Sequence, residues 1–269
     1  MASLRERFKV ILWFLERPRL YPELMRYTTR RLQEIGRDRK QEARESTALC
    51  ERVHVDAQTA LEQIMGVHPE PVDQLFRAEL ATATATLRAA PVPMHGAGNL
   101  DLIYHLTEHV AATRAIETGV SAGWSSLAFL LSMTKRPGAL LVSTDMPYPG
   151  SSQAAQQCVG IVVPAQMRPS WKLIDAPDRD SLPEALTLLP EIDICHYDSD
   201  KSYAARMWAY RKLWAALRPG GILISDDIDD NLGFFHFCGE VQVEPIVVGM
   251  PATKGSKYIG ILTKPTAAG

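Results

Sequence analysis

The twelve residues Ala115-Ile-Glu-Thr-Gly-Val-Ser-Ala-Gly-Trp-Ser-Ser126 constrain this 269-residue chain more than any other stretch. An apolar strand runs into Glu117, turns through Gly119, Ser121 and Gly123, and enters a helix near Ser125. Without a Cβ, Gly119 and Gly123 let the backbone take positive φ and let a ligand lie close against it. The helix that follows offers unpaired N–H groups and a partial positive charge to an anionic group. Glu117, at the strand tip, can accept hydrogen bonds from an amine or hydroxyl of the same ligand. Turns of this kind also occur for packing reasons alone, so the rest of the chain must say what this one holds.

Strand and helix signals alternate around the turn. A helix is expected over 101–109, ahead of the first strand. The helix over 125–133 is followed by the turn Pro137-Gly138 and a strand over 139–143 that runs into Asp145, 26 positions after Gly119. A helix at 152–160, a strand at 171–174, a helix at 182–189 and a strand at 192–197 come next. An amphipathic helix then carries Met207, Trp208, Leu213, Trp214 and Leu217 on one face and stops at Pro219-Gly220-Gly221, before a strand at 222–225. Two last strands, 244–248 and 257–263, read as an antiparallel hairpin joined by the loop 249–256. This order predicts an α/β, Rossmann-like, doubly wound sheet that is mostly parallel, with helices on both faces. Ligands then sit at the carboxyl ends of the strands, near the switch in strand order. Glu117, Asp145, Asp198 and Asp226 collect at those ends, and an acid at the tip of the second strand is where such a domain grips ribose hydroxyls.

The N-terminal third is different. Residues 1–40 read as helix broken at Pro18 and Pro22, with eleven Lys/Arg against five acids. Two readings stand: a basic arm for a membrane surface or partner, or a solvated helical face packing Leu12, Trp13 and Leu15 on the main domain or a second subunit of a homo-oligomer. Residues 41–90 continue helical, so 1–92 is expected to be a helical cap for substrate or oligomerisation, ahead of a ligand-binding domain at 93–269. The net charge of −2 gives no argument for nucleic acid. Four scattered cysteines without metal spacing fit a reducing compartment. No segment is long and apolar enough to span a bilayer, and 10–15 resembles a signal-peptide core only superficially. The expected location is the cytoplasm.

Two strand tips carry an unusual density of acid: Tyr197-Asp-Ser-Asp-Lys-Ser-Tyr203 and Ser225-Asp-Asp-Ile-Asp-Asp-Asn231. Adjacent strands lie about 4.8 Å apart, so Asp198, Asp226 and Asp227 can converge. Carboxylates that converge need a counter-charge. A hard divalent cation (Mg²⁺, Mn²⁺ or Ca²⁺) would supply it, as would Lys201 in part; the plainer reading is solvated strand-end acids, with Asp229 and Asp230 capping or solvating the loop. His196 is expected in the core or behind the site. His95, Tyr104 and His105, and Phe234, Phe235 and Phe237, either line a substrate pocket or pack.

Glu117-Thr-Gly-Val-Ser-Ala-Gly-Trp-Ser125 has the ExGxxxGxS form of class I S-adenosylmethionine-dependent methyltransferases, and the chain resembles the metal-dependent catechol and caffeoyl-coenzyme-A O-methyltransferase type over roughly 95–263. Asp145, the run Asp198–Tyr203 and Leu217-Arg-Pro-Gly-Gly221 follow in the same order. The run at 198–203 is closer to bacterial family-24 methyltransferases, which read Asp-Ser-Asp-His-Ser-Tyr there. The resemblance implies a seven-stranded sheet of order 3-2-1-4-5-7-6 with the last strand antiparallel. It implies that Gly119, Ser121 and Gly123 lie along the methionine part of the cofactor, with Ser125 on its carboxylate, Glu117 behind the turn near its amino group, Asp145 on the ribose and Asp198 alongside. It implies a metal on Asp198, Asp226 and Asp227, although the family usually has Asn at the last position. Lys201 falls where the family places a catalytic lysine.

The expected activity is methyl transfer from S-adenosylmethionine to a hydroxyl of a small molecule (a sugar, phenolic or secondary metabolite). The metal lowers the pKa of that hydroxyl, and Lys201, its own pKa lowered by the cation, takes the proton; a salt bridge to Asp200 or Asp226 is the competing role for this lysine. The alternatives are a metal-independent methyltransferase and a non-catalytic cofactor-binding protein acting through its basic arm. A nicotinamide dehydrogenase is disfavoured, because Gly119-x-x-x-Gly123 lacks GxGxxG spacing.

Overall fold

A computed structural model describes residues 4–33, 36–251 and 256–266, and within them all side chains except those of 4–9, 30–33 and 256. The N-terminal third forms α1 (Leu4–Leu15), α2 (Tyr21–Gln33), α3 (Arg39–Val53), α4 (Ala57–Met65), α5 (Val72–Leu75) and α6 (Arg77–Arg88). Of the two expected breaks, Pro18 opens a 3-10 turn, whereas Pro22 lies inside the first turn of α2, where proline has no N–H to lose. Within the stretch expected to be helical over 41–90, α3 ends at Val53, and Asp56 accepts from Thr59 N and restarts the chain as α4.

The sheet domain follows as α7 (Leu100–His109), β1 (Arg114–Thr118), α8 (Trp124–Met133), β2 (Leu140–Asp145), α9 (Gln153–Gln157), β3 (Trp171–Asp175), α10 (Asp178–Leu188), β4 (Ile192–Tyr197), α11 (Tyr203–Ala216), β5 (Leu217–Ser225), α12 (Gly233–Val241), β6 (Ile246–Pro251) and β7 (Ser256–Thr263). Seven strands lie in the order β3-β2-β1-β4-β5-β7-β6, as expected, with β7 antiparallel to both neighbours. The central strands are near-continuous apolar runs because helices cover both faces; every residue of β4 is buried. The order reverses between β1 and β4, so the turn after β1 and the loop after β4 face one crevice.

Two differences from the sequence pattern matter. Helix α11 is not apolar on one face alone: Arg206, Met207, Tyr210 and Leu213 are all buried, while Trp208 reaches the surface of the crevice. Helix α12 carries Phe234 and Phe237 into the core beside Tyr210, so these rings pack rather than wall a ligand.

The cap is welded to the sheet. Ala60, Leu61, Val72 and Ala83 share one apolar cluster with α7, α8 and the sheet. Val55, between α3 and α4, accepts from Gly249 N and donates to Val247 O, extending the β6 edge. At the N-terminus, Trp13, Phe14 and Leu20 are buried, whereas Leu12 and Leu15 face outward. Trp13 Nε1 donates to Ser151 O at 3.1 Å, and Arg26 forks onto Asp180. The basic side chains Arg5, Arg7, Lys9, Arg30 and Arg31 of the expected arm lie outside the described residues. Among the described residues no helix is long and apolar enough to cross a membrane, and Cys50, Cys158, Cys195 and Cys238 are all buried free thiols.

Candidate active site

Gly119 follows β1 with φ +82°, and Gly123 caps α8 with φ +96°. A Cβ on Gly119 would overlap the carbonyl of Asp198, and one on Gly123 would stand 2.8 Å from Gly160 Cα. Only glycine lets the turn approach the β4 loop this closely. The turn is pinned on both sides: Gly119 N donates to Thr144 O and Asp198 N to Thr118 O, each at 2.8 Å. Ser121 is held at φ +49°, a strained conformation for a residue with a side chain.

A cavity of about 1540 Å³ opens along this turn. Gly119, Val120, Ser121, Ala122 and Ser125 form its floor, Asp145 stands at one end, and Asp198, Lys201, Asp226 and Asp227 stand at the other. The loop 93–99 and the cap residues Phe14, Glu23 and Tyr27 complete the wall. Of the residues that could either line the site or pack, His95 lines it, while Tyr104 and His105 are held in packing, Tyr104 by Lys135 Nζ and His105 by the Glu70 carbonyl.

Asp145 accepts the amides of Val120 and Ser121 on Oδ2, at 2.8 Å each. Burial nevertheless pushes its carboxyl up to about 6. Glu117 is not exposed to the cavity: it is fully buried behind the turn, and its Oε2 accepts from Ser126 Oγ at 2.5 Å and Ser143 Oγ at 2.7 Å. Its other oxygen faces His196 Nδ1 at 3.9 Å. His196 in turn meets Asp226 through Nε2 at 3.3 Å. Burial alone would lower this imidazole, but Asp226, Glu117 and Asp198 outweigh it and push it up to about 10. His196 thus joins the acid beneath the turn to the acid at the far end.

The three acids expected to share a metal are each engaged elsewhere. Lys201 Nζ bridges Asp198 Oδ1 and Asp227 Oδ2, the latter at 3.2 Å, and Lys257 Nζ takes Asp227 Oδ1 at 3.2 Å. Among the described residues no three Asp, Glu, His or Cys side chains converge as a metal donor set. As folded, Asp198 and Asp227 share the Lys201 ammonium while Asp226 faces the His196 imidazole, and the residues present do not fit a divalent ion. Burial opposes the charge on Lys201, yet Asp198 and Asp227 hold its pKa above the ordinary lysine value. In this arrangement Lys201 stands as a cation between two carboxylates. Asp198 is raised as well: burial and Asp226 raise it more than Lys201 and His196 lower it.

Four residues of the site were not singled out in the sequence. Arg206, fully buried, donates to the carbonyls of Lys201, Asp226 and Asp227 and fixes both acid loops; a lone arginine among apolar neighbours on α11 is the signal that could have found it. Asp178 accepts from Ser199 Oγ at 2.5 Å on the cavity wall. The buried indole nitrogen of Trp124 has no hydrogen-bond partner among the described residues and belongs to the same wall. Lys257 comes from the hairpin, where the sequence offers no motif.

Residues 116–228 match the family model described as a methyltransferase domain. No curated protein matches the chain in sequence. Among solved structures, the fold is similar to an O-methyltransferase from Bacillus cereus in complex with SAH, at 15% identity and a TM-score of 0.51, over 80% of this chain and 100% of that one. It is similar also to the O-methyltransferase TomG from Streptomyces achromogenes, involved in tomaymycin synthesis and in complex with SAM, at 16% identity and a TM-score of 0.53, over 78% and 100%. Residues 116–228 are thus similar to a methyltransferase domain, and the strand order β3-β2-β1-β4-β5-β7-β6 is that of the fold these O-methyltransferases share.

Proposed function

We propose that this enzyme methylates a hydroxyl oxygen of a small molecule. One observation carries the reading: a single cavity joins a glycine turn that admits a ligand against its backbone, an acid at the β2 tip and a cluster of charged groups at the β4 and β5 tips. The Cβ-free cradle at Gly119 and the Asp145 carboxyl on the cavity wall fit S-adenosylmethionine, with Gly119, Ser121, Gly123 and Ser125 along its methionine part and Asp145 at its ribose.

When bound, S-adenosylmethionine supplies a sulfonium methyl that an oxygen nucleophile accepts in line. The chain's own part is to hold the acceptor and take its proton. Asp198, whose carboxyl sits above the ordinary carboxylate range, accepts that proton at the end of the cavity beyond the glycine turn. Lys201 faces the developing oxyanion as a cation. Holding donor and acceptor at attack distance supplies much of the remaining rate. Metal dependence, implied by the resemblance to the caffeoyl type, finds no donor set among the described residues. Buried free thiols support a cytoplasmic setting.

Purified full-length chain is incubated with methyl-labelled S-adenosylmethionine and a panel of phenolic, sugar and other hydroxylated acceptors. Label should enter an alkali-stable methyl ether. Failure to bind S-adenosylhomocysteine in calorimetry would sink the reading.

A further inference from the structure

The carboxylates at the β4 and β5 tips carry three formal negative charges, and two ammonium groups already stand among them. Lys201 Nζ bridges Asp198 and Asp227 from the loop after β4, with its side chain only 27% exposed. Lys257 Nζ reaches Asp227 from the start of β7, 3.2 Å from Oδ1. Together they bring two positive charges, the charge of one divalent ion, to the place where the resemblance puts a metal. An ammonium group has three donors. Lys201 gives two to carboxylates and Lys257 gives one, so three N–H groups stay available at the cavity wall for an acceptor oxygen.

We infer that Lys201 and Lys257 take the place of the divalent cation, and that this methyltransferase works on its acceptor without a metal. The inference rests on the methyltransferase reading. In the step it serves, the acceptor hydroxyl loses its proton to Asp198, an oxygen–carbon bond forms, and the sulfur–carbon bond breaks with its electron pair left on sulfur. The two ammonium groups stabilise the oxygen while it carries negative charge, as a preorganised cationic site does. The buried framework favours this arrangement over a metal. Arg206 fixes the backbone carbonyls of Asp226 and Asp227, and His196 occupies Asp226 Oδ1, so Asp226 is turned to the imidazole while Asp198 and Asp227 share the Lys201 ammonium. Inserting a divalent ion would require both lysines to leave.

The test uses Mn²⁺ as the probe and electron paramagnetic resonance of the full chain, with and without S-adenosylhomocysteine. The parent should leave the free Mn²⁺ signal unchanged, and S-adenosylhomocysteine affinity should be the same in EDTA and in Mg²⁺. Replacing the lysines should create a metal site: Lys257→Met, and the pair Lys201→Met with Lys257→Met, should bind Mn²⁺ at least tenfold more tightly than the parent. Lys257→Met alone, at an exposed strand start, guards against misfolding of the pair. Stoichiometric Mn²⁺ binding by the parent that is lost in Asp198→Asn overturns the inference, and so does a folded pair of lysine variants with no gain in Mn²⁺ affinity. Calorimetry with S-adenosylhomocysteine is read separately, so failure of the methyltransferase reading is distinguishable.

Discussion

Arg206 Nη2 donates to the carbonyl oxygen of Asp227 at 2.7 Å, from a side chain with no exposed surface. The same guanidinium reaches Asp226 O at 3.1 Å and Lys201 O at 3.4 Å, tying the loop after β4 to the loop after β5. It stabilises Asp227 at φ +50°, a left-handed conformation that residues other than glycine, asparagine and aspartate seldom adopt.

Arg206→Met is therefore expected to leave three half-buried carbonyls without this donor. The cost should be about 3–5 kcal/mol, because an interior charged network is broken from one side. Chemical denaturation checks it; a loss under 1 kcal/mol, within surface-substitution range, would show that the loops hold themselves.

Gly119→Ala should do comparable harm by a different route. The new methyl meets the Asp198 carbonyl, and the φ of +82° is unfavourable for any side chain. A loss of about 2 kcal/mol or more is expected, together with loss of S-adenosylhomocysteine binding in calorimetry. Retained binding at parental affinity would remove the turn from the cofactor site.

Asp145 gives a pH test. Burial raises its folded carboxyl from 3.8 to about 6. The folded chain therefore holds a proton that the unfolded chain has released, and this group's contribution to stability falls as pH rises through that window. The charged form, needed to accept from ribose, is present above about pH 6. Affinity for S-adenosylhomocysteine should fall about tenfold below that pH, roughly the worth of one charge-assisted hydrogen bond. Asp145→Ala should be weaker and flat with pH, whereas Asp198→Ala should abolish transfer and leave this affinity nearly intact. Parental binding by both variants would show the site to be misassigned.

The N-terminal helices should prove lightly fastened. Arg26 and Asp180 form a bidentate pair at 2.8–2.9 Å, but both side chains are substantially exposed. Arg26→Ala should cost about 0.2–1 kcal/mol globally while speeding limited proteolysis near α2. Unchanged proteolysis would mean that Trp13, Phe14 and Leu20 hold the helices on their own.

Much of this architecture was legible from local pattern. Gly119 and Gly123 could only serve a turn with positive φ; the strand–helix alternation set a parallel sheet, and the hairpin at its edge followed from two apolar runs around a Gly/Pro loop. Those features depend on each residue's own backbone preferences and on apolar period, which the sequence by itself determines. The acids at Asp198, Asp226 and Asp227 were visible too, but not their partners. Lys257 lies 30 positions beyond Asp227 and meets it through β7 pairing with β5, a contact no spacing encodes. Glu117 looked like a ligand contact because it sits at a strand tip, yet the pleat turns it inward onto Ser126 and Ser143. Trp13 is buried as the packing reading had it, but Phe14 goes inward with it while Leu12 and Leu15 face outward, since the face a short amphipathic helix buries is chosen by the surface it docks on. The tertiary structure alone decided which charge meets which, because electrostatic pairing depends on distance in space and on burial, and neither is written along the chain.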